Sequence, residues 1–141
     1  GRAGHLGHIS LDPDGPADIV RTPGSLEHSI GNCTIAERTG GKFTSTLALV
    51  AAAAGGDKEA AEVWSKSLRA LAAGIASLVN VLDPEVVILG GGITAAGDAL
   101  FEPLRRVLDE IEWRPHGMQV RIEPARLGEY AGALGAAWNA L

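Results

Sequence analysis

The run Pro84-Glu85-Val86-Val87-Ile88-Leu89-Gly90-Gly91-Gly92-Ile93 has the residue types that can approach a phosphate. Val86 to Leu89 read as a short strand buried on both faces. The glycines that follow offer bare backbone that an anion can approach closely, and a helix N-terminus beyond them offers unpaired N–H groups to receive it. A plain strand-to-helix turn would use the same residues, so both readings stand on this run alone. Neither standard nucleotide fingerprint is present, because there is no Gly-x-x-x-x-Gly-Lys-Ser/Thr and no Gly-x-Gly-x-x-Gly. Near the start of the chain, His5 and His8 have a spacing that could suggest a metal pair, but two imidazoles supply only half of a zinc site. Cys33 is the only cysteine, which excludes an internal disulfide and makes a reducing cytoplasm the expected location.

The elements that must position these groups can be read from periodicity and punctuation. Residues 4–11 alternate loosely and predict a strand or loop leading into a turn at Asp12-Pro13-Asp14-Gly15-Pro16. Thr22-Pro23 reads as an N-cap with proline at the first helical position, opening a short helix through Leu26, Glu27 and Ile30. A helical piece over 34–38 stops at Gly40-Gly41, and Thr44 or Ser45 caps another over 47–54. Asp57 caps the longest helix, 58–81, whose stripe of Trp64, Leu68, Leu71, Ile75 and Leu78 marks one buried face. Asp83-Pro84 ends that helix and launches the strand before the glycines. A helix over 97–112 follows, with Leu100, Leu104, Val107, Leu108 and Ile111 on its apolar face. Gln119 to Glu123 alternates as a half-exposed strand. A last helix, 129–140, carries Gly128, Gly132 and Gly135, which predict very close packing on a sheet. Trp64, Trp113 and Trp138 read as core or interface residues.

This order argues for an α/β architecture, but two strands are too few for a stable sheet. The remaining strands are expected from sequence upstream of Gly1 or from a partner chain. The abrupt opening, without an initiator Met, looks like a cut inside a longer protein. The 141 residues suit one domain or lobe. A net charge of −5 without a Lys/Arg cluster argues against nucleic acid binding by this chain. No apolar run approaches the length of about eighteen residues that would suggest a membrane span.

Placed in order, the motifs resemble those of one family, the ROK proteins (repressors, open reading frames and sugar kinases). Gly4-His5-Leu6-Gly7-His8 resembles that family's Gly-Glu-x-Gly-His, and Gly24-Ser25-Leu26-Glu27 resembles its Gly-Cys-Leu-Glu. The segment from Asn80 to Gly92 is similar to its Asn-x-x-Asp-Pro-Glu-x-(apolar)-Gly-Gly-Gly. The segment from Leu127 to Ala137 is similar to its C-terminal signature. The resemblance implies an actin-like ATPase (ribonuclease H-like) fold, with sugar and ATP bound between two lobes. It makes residues 1–141 the C-terminal sugar- and nucleotide-binding lobe, part of whose sheet comes from upstream. The family's N-terminal Asp-x-Gly-Gly-Thr phosphate motif and its Asn-Asp catalytic segment are absent here. No catalytic residue can therefore be named in this chain, and alone it is expected to be inactive.

The resemblance also implies roles for individual residues. His8 matches a histidine that contacts the sugar and in many members also ligates zinc. Glu27 matches a glutamate that grips sugar hydroxyls. His5 stands where the family usually has a sugar-contacting glutamate, a departure that changes which hydroxyls can be bonded. Gly90, Gly91 and Gly92 match the adenosine and phosphate loop, and Thr94 either adds a hydroxyl there or caps the following helix. The family's structural zinc needs Cys-x-Cys-Gly-x-x-Gly-Cys, and the three thiolate positions are here Asp18, Val20 and Ser25, so no zinc is expected. The expected activity is ATP- and Mg²⁺-dependent phosphorylation of a hexose or related sugar, in a cytoplasmic homo-oligomer. The alternatives are the sugar-sensing half of a ROK transcriptional repressor, or a remnant that only oligomerises. Sequence upstream discriminates: a helix-turn-helix there means nucleic acid binding, and the Asp-x-Gly-Gly-Thr motif means kinase.

Overall fold

A computed structural model describes residues 4–140. Helix α1 spans Leu26–Ile30, α2 Ile35–Arg38, α3 Thr46–Ala54 and α4 Lys58–Leu82. Strand β1 (Val86–Leu89), helix α5 (Asp98–Ile111), strand β2 (Arg121–Pro124) and helix α6 (Ala131–Trp138) follow. The core lies between α4 and the elements packed on it, chiefly α1, α3 and α5. The stripe predicted for α4 is its buried face: Trp64, Leu68, Leu71 and Ile75 are buried, and Leu78 is half-buried. Asp57 caps α4 as expected, its carboxylate accepting the Ala60 N–H at 3.0 Å, and Ser45 does the same for α3 through Ala48 N–H.

β1 and β2 pair in parallel, Val86 opposite Arg121 and Leu89 opposite Pro124, with α5 as the crossover. Their inner face turns to the core through Val87, Leu89 and the buried Ile122. The expectation that β1 is buried on both faces does not hold, because helices cover only one side of the two strands and leave Ile88 64 % exposed. β2 begins two residues later than expected, because Val120 N–H is taken by the Glu112 carboxylate at 2.8 Å rather than by a strand. Of the strand or loop expected over residues 4–11, the structure forms the second, with a 3-10 turn at Leu6–His8.

The predicted helix over 97–112 is preceded by a 3-10 turn, Gly92–Ala96, and α5 begins after Gly97. Pro103 sits inside α5 and has no N–H to give the Ala99 carbonyl one turn earlier. The Trp64 indole of α4 fills that place, donating to Ala99 O at 3.1 Å. One side chain thus buries the largest surface on the α4 stripe and satisfies a carbonyl that α5 cannot satisfy itself.

The last helix differs from expectation. A Cβ built on Gly128 or Gly135 would meet nothing within 4 Å, so these glycines make no close packing here, and the surroundings of Gly132 lie outside the described residues. Trp113 and Trp138 are exposed, unlike Trp64. Among the described residues, no helix is long and apolar enough to cross a membrane.

Trp64→Phe is expected to destabilise the protein by about 1–3 kcal/mol by orphaning the Ala99 carbonyl. In a Pro103→Ala background, which restores an N–H to that carbonyl, the loss should be smaller. Denaturant unfolding of the four variants of the cycle measures this, and full additivity would show that the indole bond is not what couples α4 to α5.

Candidate functional site

The first corner is built by a closed loop. Leu26 N–H donates to Ile9 O at 2.9 Å, Leu11 N–H donates to Gly24 O at 2.9 Å, and Ser10 bridges Ser25. These bonds lay the 3-10 turn Leu6–His8 against the start of α1. Ser25, not Thr22, caps α1, its hydroxyl accepting His28 N–H at 3.1 Å. Pro23 is held outside the helix by a bridge to Ala17, and its carbonyl accepts the Ser10 hydroxyl at 2.6 Å. Gly24 is required twice over: its φ is +49°, and an added Cβ would lie 2.1 Å from the Asp12 carbonyl oxygen.

Asp18 sits inside this loop with its side chain 2 % exposed. One carboxylate oxygen accepts from His8 Nδ1 at 2.7 Å, and the other accepts the Val20 and Thr22 N–H groups at 2.9 Å each. Burial pushes the Asp18 pKa upward, but the hydrogen bonds from His8, Ser25, Thr22 and Val20 outweigh it and hold the carboxyl below the ordinary carboxylate range. An ionised carboxylate can only accept, so His8 carries its proton on Nδ1, and Nε2 stays free on a side chain 30 % exposed.

Glu27 lies beside His8's neighbour: a Cβ on Gly7 would be 3.2 Å from Glu27 Oε2. Its other oxygen faces Gly31, where a Cβ would come within 2.7 Å, and accepts weakly from Cys33 Sγ at 3.8 Å. The His5 and His8 rings stack with centroids 6.3 Å apart. His5, His8 and Glu27 therefore share one corner of the molecule. Arg38 stiffens its far side, donating to Gly31 O at 3.1 Å and to Ser67 of α4 at 2.7 Å.

The second corner is the glycine loop, at the carboxyl ends of both parallel strands, where Ala125 N–H bonds Leu89 O at 2.7 Å. A Cβ on Gly90 would lie 3.4 Å from Ala125 Cβ, whereas one on Gly91 or Gly92 would meet nothing within 4 Å. Gly91 adopts φ 84° and ψ −177°, a region open essentially to glycine alone. Thr94 does not cap α5, whose N-cap is Gly97; its hydroxyl donates back to Gly91 O at 2.8 Å. That bond fixes the loop and leaves the hydroxyl oxygen free to accept.

The zinc that the resemblance would bring does not fit the donor set. Val20 has no ligating atom, Ser25 offers a hydroxyl already capping α1, and Asp18 is committed to backbone N–H groups. Among the described residues, no group of three or more His, Cys, Asp or Glu side chains is placed to hold a metal. Residue types missed the importance of Asp18 and Arg38 because their partners lie ten and twenty-nine positions away. The Asp-x-Val pattern beneath a histidine was the available signal.

Two parallel strands opening into a glycine loop, with α4 packed between this α/β unit's elements and the His5, His8 and Glu27 corner held on α1, make up the architecture. The sequence model of the ROK family matches residues 1–141, and the chain belongs to that family. It is 34 % identical to a glucokinase of Thermotoga maritima, over 97 % of this chain and 49 % of the relative. A solved ROK family glucokinase from Streptomyces griseus, in complex with glucose and AMPPNP, matches at TM-score 0.77 and 27 % identity, covering 97 % of this chain and 51 % of that one. A solved ROK family transcriptional regulator, a homolog of the E. coli MLC protein, matches at TM-score 0.71 and 26 % identity, covering 88 % of this chain and 35 % of that one. The fold is that of the actin-like ATPases, and the chain spans about half the length of the curated relatives it matches.

Gly24→Ala is expected to lower stability by at least about 1–3 kcal/mol, because both the left-handed backbone and the contact with Asp12 resist a side chain. Thermal unfolding of the full-length protein measures it, and an unchanged midpoint would mean that the loop closes differently.

Proposed function

We propose that this chain is the C-terminal, sugar- and nucleotide-binding lobe of a ROK-type sugar kinase that transfers the γ-phosphoryl of ATP to a hydroxyl of a hexose or related sugar. The observation that carries the reading is the glycine loop at the carboxyl ends of the parallel strands, the usual ligand position in open α/β sheets. Gly90, Gly91 and Gly92 would lie against the nucleotide, with the Thr94 oxygen as an added acceptor. ATP supplies the phosphoryl group, and Mg²⁺ would neutralise its charge. His8 and Glu27 would hold the sugar: Nε2 of His8 accepts one hydroxyl, and the carboxylate accepts two adjacent ones. His5, in place of the family glutamate, would present an imidazole to the same ligand. The group that takes the hydroxyl proton belongs to the other lobe, so catalysis by this part is positioning and charge stabilisation. The mismatched donor set supports a lobe without zinc.

The likeness to a transcriptional regulator favours one second reading, a sugar-sensing effector lobe. Phosphoryl transfer by the full-length protein decides between them, since a sensor would bind sugar without consuming ATP.

His8→Ala and Glu27→Ala in the full-length protein should each weaken sugar binding by roughly ten- to a hundredfold without unfolding it. Gly91→Val should sharply reduce ATP affinity and largely preserve sugar affinity. Calorimetric titration with each ligand checks both outcomes, and unchanged nucleotide affinity in Gly91→Val would reduce the loop to a turn.

A further inference from the structure

We propose that Asp18 is a positioning residue: its carboxylate occupies the organising role that a structural zinc would have, and it dictates which nitrogen His8 presents to ligand. Two of the three thiolate positions, Asp18 and Val20, still meet His8 at one point, but through different atoms. Asp18 supplies the centre and Val20 gives its backbone N–H rather than a side chain, while the Ser25 hydroxyl caps α1. His8 Nδ1 completes the set at 2.7 Å. A metal cation gathers lone pairs, whereas this centre is an anion and gathers protons.

The backbone agrees with the exchange. Arg21, at a glycine position of the family pattern, keeps a left-handed φ of 69°. Its neighbours Val20 and Thr22 both donate to the same Asp18 oxygen, and those two bonds hold the turn in a conformation that a side chain resists. The loop shape is thus maintained with neither metal nor glycine at that point.

The arrangement has a chemical consequence for His8. With Nδ1–H committed to Asp18, the neutral ring offers only a lone pair at Nε2. In its neutral form His8 accepts a hydrogen bond from a ligand hydroxyl and cannot donate to a ligand oxygen. This specificity role rests on the sugar-site reading, whereas the state of the ring does not.

The test uses the full-length protein with ¹⁵N-labelled histidine, the His8 signals being assigned by their loss in His8→Ala. At mildly alkaline pH, wild-type His8 is expected to carry its proton on Nδ1, with Nε2 bare. A proton on Nε2, or one zinc per chain in protein prepared without chelator, would overturn the proposal, and the zinc measurement needs no variant. Asp18→Asn should mix the two ring forms and weaken sugar binding by about tenfold, with ATP affinity unchanged. If His8→Ala weakens sugar binding and Asp18→Asn changes neither the ring nor the affinity, the positioning role is wrong and the sugar site stands. If His8→Ala leaves sugar affinity intact, the sugar-site reading fails and takes the specificity role with it.

Discussion

Helix α4 is the constraint on which the rest of the structure depends. Its single apolar face runs for much of a length of roughly 37 Å, and α1, α3 and α5 all pack against it. Both candidate corners are therefore registered to the same rod. Glu27 follows Leu26, whose Cδ2 would be 3.0 Å from a Cβ at Gly74 of α4, so α1 is seated where the long helix has no side chain. The glycine loop is reached from the other side, through the 3-10 turn that rests on α3 and α5. No interaction within either corner sets the separation of the two; α4 does.

The corners are stiffened by different means. In the loop before α1, short polar side chains capture backbone groups, and the buried Asp18 carboxylate collects donors from His8, Val20 and Thr22. In the glycine loop there are no such partners beyond the Thr94 hydroxyl, and the shape comes from conformations that only glycine tolerates. Under the proposed reading, fixed side chains suit recognition of a polyhydroxylated ligand, and the absence of side chains suits the approach of phosphate or ribose.

Much of this was legible in the sequence wherever the governing interaction was local. The Asp57 cap, the stripe from Trp64 to Ile75 and the strand before Gly90 follow from periods and caps within a few residues, and the structure agrees to within a residue or two. Thr22-Pro23 misled because a cap preference worth about 1 kcal/mol lost to the Ala17–Pro23 bridge and to Ser25, which offers the same hydroxyl chemistry nearer the helix. The buried-strand pattern of β1 misled differently: apolar composition says what a strand can pack against, and Ile88 is left 64 % exposed by the described residues. The motif residues His8 and Glu27 could be picked out as candidates one at a time. That Asp18 would become a centre could not, because its role exists only once the loop has closed.

The pairing of Trp64 with Pro103 also orders the substitutions open to descendants of this sequence. If position 103 changes first, the Ala99 carbonyl gains its ordinary helical partner while keeping the indole, and a carbonyl with two lone pairs accepts both. Position 64 is then released from the hydrogen bond and is held only by its packing. If position 64 changes first, the carbonyl is stranded until the proline goes. Drift through this pair is directional, and the proline is the latch that must open before the tryptophan can leave.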